Sequence, residues 1–317
     1  MVNDNLELYR YEKDKIKGWD ALYRFYIENF TDKKNEWVFR GDNPDPKNPD
    51  ISSIPANAFK SRLEKAFDDF ESTDVNINRR RKIERRLIRE FRRKVPIHTN
   101  YRQENWLECL GLMQHYEAPT RMLDWTYSFF AAVYFAINKP KERNCVVWAL
   151  DSKWLGHKNE EFNDQFIKNA PNKKSLQKLR DDGRGGFENA IIHSWMPEPE
   201  EKQKSSSEEK EDPIIYVVNP YYLNERLSVQ RGVLICPSDI DISWGENLAS
   251  MLRKEGDGKE HLWRVRIEWE KVDIQKEILR RLYDMNISQA SLFPDLDGLA
   301  KSLRTRVAMP ETLRIFE

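Results

Sequence analysis

The chain has 317 residues, 33% of them charged and 39% hydrophobic, and its 53 Lys+Arg balance its 53 Asp+Glu. That length supports one large or two ordinary domains with a sizeable core, and the zero net charge excludes attraction to nucleic acid or an anionic membrane through the field of the whole molecule, leaving only local patches. The amino terminus, M-V-N-D-N-L-E-L-Y-R, lacks the apolar core of a secretion signal, and no run approaches the ~20 apolar residues of a membrane span, so a soluble, cytoplasmic protein with no membrane partner is expected.

In chain order, W-D-A-L-Y-R-F-Y-I-E-N-F (19–30) places Trp19, Leu22, Tyr23, Tyr26, Ile27 and Phe30 at helical spacing. A strand, W-V-F-R, follows and ends on Arg40-Gly41. The next stretch, D-N-P-D-P-K-N-P-D, has prolines at 44, 46 and 49 and reads as a loop. Residues 58–70 are helical again. The stretch 79–95 is the most basic, with ten Lys/Arg against two Glu between 79 and 94. Its apolar residues Ile83, Leu87, Ile88, Phe91 and Val95 fall within about 140° of arc, so it is an amphipathic helix with a strongly basic outer side. That side is either a solvated face or a stripe for an anionic partner. No aromatics interleave it, which disfavours single-strand binding.

A helix over 105–116 crosses through A-P-T-R-M-L-D-W-T to a second over 128–138, for which Thr126 or Ser128 is the N-cap. N-C-V-V-W-A-L-D (144–151) is a buried strand. P-E-P-E-E-K-Q-K-S-S-S-E-E-K-E-D-P (197–213) reads as a flexible charged insertion. Strand-like segments resume at 214–218, 232–237 and 262–269, and an amphipathic helix covers 272–285. Cys109, Cys145 and Cys236 each stand in apolar surroundings without metal-ligand spacing and read as core residues. Interleaved helices and strands predict a single mixed α/β (α+β) domain over 1–317, with its core at 36–305 and helices around a central mixed sheet.

Three stretches place polar groups at the ends of strand-like runs. They are Arg40-Gly41, then Gln114-His115-Tyr116 with Pro119-Thr120-Arg121 and Leu123-Asp124-Trp125-Thr126, then Ser228-Val229-Gln230-Arg231-Gly232. The helix start after Thr126 offers free amides to an anion. Arg40, Arg121 and Arg231 suit phosphate, and Gly41 would let backbone approach a ligand. An internal Arg121–Asp124 pair is the architectural alternative.

These motifs, W-V-F-R-G, L-M-Q-H-Y-E-A-P-T-R-M-L-D-W-T, L-S-V-Q-R-G-V-L and S-L-F-P-D-L-D-G-L-A, resemble those of the FRG-domain family across residues 36–305. Two departures are mild: Glu117-Ala118 stands where small residues such as glycine are usual, and Leu234 replaces a usual phenylalanine. The resemblance implies a prokaryotic or phage-associated protein linked to toxin-like or antiphage modules. By analogy it suggests an ADP-ribosyltransferase-like pocket for NAD, with Arg40, Gly41, Thr120, Arg121, Thr126 and Arg231 as binding residues and Gln230 on a late strand. Gln230 cannot act as a base, so Asp124 or Glu225 would supply the carboxylate and His115 an acid/base. Two other readings stay open: a non-catalytic module sensing a nucleotide or nucleic acid, with the basic helix 79–94 meeting the anionic partner, and a nuclease using metal at Asp295 and Asp297. Asp295 is equally a helix N-cap, and no metal site is expected.

Overall fold

A computed structural model describes residues 7–11, 16–32, 36–42, 52–55, 58–70, 77–98, 105–138, 144–196, 212–218, 225–256, 258–269, 271–307 and 309–310. Among the described residues seven strands, β1 (Arg10–Tyr11), β2 (Trp37–Asp42), β3 (Leu123–Thr126), β4 (Asn144–Asp151), β5 (Ile215–Val218), β6 (Gly232–Pro237) and β7 (Leu262–Glu268), form one sheet in the order β1-β7-β4-β2-β3-β6-β5. The β1–β7 pair is parallel and the other neighbours run antiparallel. The helices are α1 (Trp19–Phe30), α2 (Arg62–Phe70), α3 (Ile77–His98), α4 (Trp106–His115), α5 (Phe129–Ile137), α6 (Ser152–Asn169) and α7 (Lys173–Asp182). They continue with α8 (Gly186–Ser194), α9 (Glu225–Val229), α10 (Trp244–Glu255), α11 (Val272–Asp284), α12 (Gln289–Leu292) and α13 (Leu296–Arg306). The expected mixed α/β domain built on a mixed sheet is what the chain forms.

Side chains alternate across a strand, and here the two faces bury different sets. One face carries Phe39, Val147 and Val265 under α1, α5 and α11. Further along the same face, Leu234, Cys236 and Tyr216 lie under α4 and α8. The opposite face carries Val38, Trp125, Trp148 and Ile235 under α6 and α10, with Phe59 stacked on Trp125 and tilted against Trp148 and Trp244. At the β5 edge, the Asn159 side chain donates to the Ile215 carbonyl and accepts from the Val217 amide, so its free backbone groups are covered.

Helix α5 is apolar all round and buried almost throughout, as a core helix must be. It lies directly on β2. A β-carbon added to Gly41 would stand 2.0 Å from the Ala132 carbonyl oxygen and 2.7 Å from the Ala136 amide nitrogen. The expectation that Gly41 makes room for a ligand is therefore corrected: α5 occupies that room.

The strands expected over 144–151, 214–218, 232–237 and 262–269 are all present within a residue of those bounds. Helices α6 to α10 and α12 and the short strands β1 and β3 add to what periodicity indicated. The proline-rich loop lies largely outside the described residues, as does the charged insertion except for 212 and 213. Among the described residues no helix is long and apolar enough to cross a membrane.

Gly41→Ala is expected to destabilise the protein by about 1–3 kcal/mol or more, because the obstructing atoms are backbone and cannot rotate away. A urea unfolding midpoint equal to that of the parent protein would show that α5 can shift.

Candidate active site

Helix α4 starts at Asn105, whose side chain accepts from the Glu108 amide, and ends at His115. The chain then turns sharply, with Glu117 at φ 60°. Only glycine takes that left-handed conformation freely, which gives a physical reason for a small residue here. Glu117 is held in it by the Ala118 amide bonded to the Met113 carbonyl and by its ion pair with Arg62 at 3.0 Å.

Arg121 follows, and its guanidinium is consumed by the protein. Nε donates to Glu84 Oε1 at 2.7 Å, Nη2 donates to Glu84 Oε2, and Nη1 donates to the carbonyls of Pro237 at 3.1 Å and Ser238 at 3.0 Å. Both side chains of the ion pair are 1% exposed. Burial works against the charge on Arg121, but the adjoining Glu84 carboxylate outweighs it and holds the guanidinium above its ordinary range. The expected phosphate contact at Arg121 is thus corrected to a structural anchor, and its partner is Glu84 of α3 instead of Asp124.

On β3, the side chain of Asp124 lies on the same sheet face as Leu234, its cross-strand neighbour. Gln114 Nε2 donates to Asp124 Oδ2 at 3.1 Å, and Gln114 Oε1 accepts from the buried Thr120 hydroxyl. Arg40 donates through Nη1 to the Asp124 carbonyl oxygen at 2.7 Å. Its side chain, however, belongs to the face of its neighbour Trp148, opposite the Asp124 carboxylate. Thr126 donates to the Gln230 carbonyl at 2.7 Å and accepts from the Ser128 amide at 2.9 Å, while Ser128 is the N-cap of α5. Arg231 sits exposed in a left-handed turn at φ 48°, and its carbonyl accepts from the Tyr127 amide.

A small cleft, with about 10 Å³ of free space, lies on this face between α4, β3, α9 and β6. Gln114, His115, Asp124, Arg226 and Gln230 line it, with Gly111, Leu227 and Leu234 as its apolar floor. Gln230 is fixed by donation to the Leu292 carbonyl at 2.9 Å. Arg226 stacks over the Phe293 ring at 4.4 Å and donates to the His115 carbonyl at 3.4 Å. Burial, followed by the positive charge of Arg226, pulls the His115 imidazole below its ordinary value of 6.5, and the Asp295 and Asp124 carboxylates oppose this only partly. Its ring is therefore neutral at pH 7, and its Nδ1 is buried without a hydrogen-bond partner among the described residues.

Of the residues singled out from sequence, His115, Asp124 and Gln230 come together. Arg40, Thr120 and Thr126 each bond a residue of the cleft without lining it, while Gly41 lies against α5 and Arg121 is held by Glu84, so the expectation of one pocket shared by Arg40, Arg121, Asp124 and Gln230 is corrected. Glu225 is exposed and does not line the cleft. Sequence reasoning missed Arg226, whose position four residues before Gln230 gives the signal, since that spacing puts both on one side of a helical turn. Asp295 accepts from the Gly298 amide as N-cap of α13, and Asp297 pairs with Lys301. Among the described residues no three His, Cys, Asp or Glu side chains gather as a metal site would require. The three cysteines are buried, and burial pushes the thiols of Cys109 and Cys236 up to about 12, leaving no thiolate at neutral pH.

A family model for the FRG domain matches residues 35–145. The match takes in the first two motif groups and stops short of Gln230. No curated protein and no solved structure matches the chain.

Glu84→Ala leaves a buried guanidinium without its counter-charge and is expected to cost about 3–5 kcal/mol of stability, read from urea unfolding. Glu90→Ala, on the exposed side of the same helix, should leave the midpoint unchanged. His115 binds its proton less readily folded than unfolded, so its contribution favours unfolding as pH falls through 6.5 toward the lower folded value. His115→Asn should flatten that part of the stability–pH curve.

Proposed function

Given that the chain carries an FRG domain over residues 35–145, we propose that it is a toxin-like or antiphage-defence effector whose cleft performs ADP-ribosyltransferase-like chemistry on NAD. The observation that carries this reading is the convergence of Asp124, His115, Gln230 and Arg226 on one cleft. Gln230 alone could not stabilise a cationic sugar or take a proton, and Asp124 supplies the carboxylate that was lacking.

The fit is partial and instructive. The cleft as it stands has about 10 Å³ of free space, about one water's worth, so it must widen to admit a ribose, and the diphosphate stays at the rim, where Arg226 stands. Asp124 faces the sugar carbon from which nicotinamide departs and stabilises the positive charge that develops there. The Gln114 amide holds that carboxylate in place. The neutral His115 accepts the proton of the attacking hydroxyl or water. Gln230 offers its side-chain amide for orientation, and Thr120 holds Gln114 in place from beneath.

The test is nicotinamide release from NAD by the purified chain, followed chromatographically. Asp124→Asn should lower it by at least about 100-fold, a typical scale for losing one preorganised electrostatic group. His115→Asn should abolish an acid limb lying below pH 6.5. Absence of release, together with an unchanged cellular phenotype for Asp124→Asn, overturns the reading. NAD binding without turnover would assign the cleft to sensing instead.

A further inference from the structure

Helix α3 divides its basic residues into two groups. The inner group is spent on the fold. Arg81 pairs with Asp239 at 2.9 Å and Asp241 at 2.6 Å, and Arg85 donates to the Met196 carbonyl at 2.9 Å. Arg80 lies over the Phe67 ring at 5.1 Å and Arg92 over the Trp106 ring at 5.8 Å. The outer group, Arg79, Lys82, Arg86, Arg89 and Arg93, is exposed. Spaced three and four residues apart, these five fall within about 80° of arc along about 21 Å of helix. Arg79, Lys82, Arg86 and Arg89 have no ion-pair or hydrogen-bond partner among the described residues, and the one acid beside the row, Glu90, is held by Lys94 at 2.8 Å and reaches Arg93 at 4.0 Å.

We propose that this row of cations binds the phosphate backbone of a duplex nucleic acid, without reading its sequence. Its charge is local in a chain of zero net charge, so it is a directed patch and no by-product of a basic protein. Four of the five are arginines, whose planar forks match phosphate oxygens in pairs. A protein partner would call for an apolar or aromatic centre, yet the row has none between Arg79 and Arg93; Leu87 lies at its margin and Ile97 beyond its end. Cations alone hold an anionic membrane surface only at about 1 kcal/mol each, and stable seating there needs an inserted apolar face, as single strands need stacking aromatics; the row has neither. The proposal stands independently of the chemistry assigned to the cleft.

The experiment is fluorescence anisotropy with a labelled 20-base-pair DNA duplex, the matching RNA duplex and one single strand, each titrated between about 50 and 200 mM salt. Five neutralised phosphates predict a slope of log affinity on log salt near −4.5, from about −0.9 for each. Arg86→Gln/Arg89→Gln/Arg93→Gln should reduce the slope by about 3, whereas Lys173→Gln/Lys174→Gln/Lys178→Gln, an equal loss of charge on α7, should leave it unchanged. Unaltered circular dichroism of both variants separates lost contacts from lost fold. Failure of the parent chain to bind either duplex at the lowest salt overturns the proposal. So does an unchanged slope in the α3 variant, or binding to polyglutamate or phosphatidylserine vesicles in place of the duplexes.

Discussion

The buried pair between Arg121 and Glu84 is the constraint on which the arrangement around the cleft depends. Removing both charges from water costs several kcal/mol per ion, and that cost is offset only where geometry and further hydrogen bonds are good. Here Arg121 makes four bonds, two to the carboxylate of α3 and two to carbonyls at the end of β6. One side chain thus ties together a long helix, the crossover from α4 and the chain where it leaves β6. Strand β3 begins two residues later and is only four residues long, too short to fix its own position securely. Its register rests on the pairing with β6 and on this anchor just upstream.

Once β3 is placed, Gln114, Thr120 and the Asp124 carboxylate, which would otherwise be costly under α4, have partners. The face of the sheet is divided between the apolar cluster beneath α1, α5 and α11 and the one beneath α4 and α8. Asp124 projects into the seam between them. Its carboxylate receives Gln114, its carbonyl receives Arg40, and Gln114 is in turn oriented by Thr120. A chain of this kind holds a charged oxygen in one orientation before any ligand arrives, which is the form of preorganisation that electrostatic catalysis requires. Arg40 contributes from the far side of the sheet, as a brace between β2 and β3 where only Phe39 and Thr126 form a register pair.

What the sequence made legible were elements with a strong period and motifs with dense polar content. The apolar strands and amphipathic helices declared themselves, and so did His115, Asp124 and Gln230. Partners did not. Arg121 in P-T-R-M-L-D-W-T reads equally as a ligand contact or as a partner of nearby Asp124, because nothing local reveals that Glu84, 37 residues earlier, will be buried against it. Gly41 suffers from the same blindness: an open backbone looks alike whether a ligand or a helix fills the space, and α5 fills it. Strand β3 is too short for two-residue alternation to emerge from the surrounding turns. Arg226 escaped notice because five helical residues present no periodic face, although its spacing from Gln230 was there to be read.

Helix α3 shows why burial and charge have to be weighed residue by residue. Like charges three and four residues apart cost a few tenths of a kcal/mol per pair in a helix, so a row such as Arg79, Lys82, Arg86, Arg89 and Arg93 works against the helix that carries it. Propensity alone does not offset this, since an isolated helix gains most of its stability from the face it packs. That face is supplied here by Ile88 and Val95 in the core and by Glu84 in its buried pair with Arg121. Glu84 therefore serves two ends at once: it satisfies the arginine that positions β3, and it fastens the helix whose opposite side concentrates positive charge. A substitution at Glu84 would disturb the cleft and the basic row together, whereas changes on the outer row reach only the surface, so the two regions are separable by mutation even though one buried carboxylate supports both.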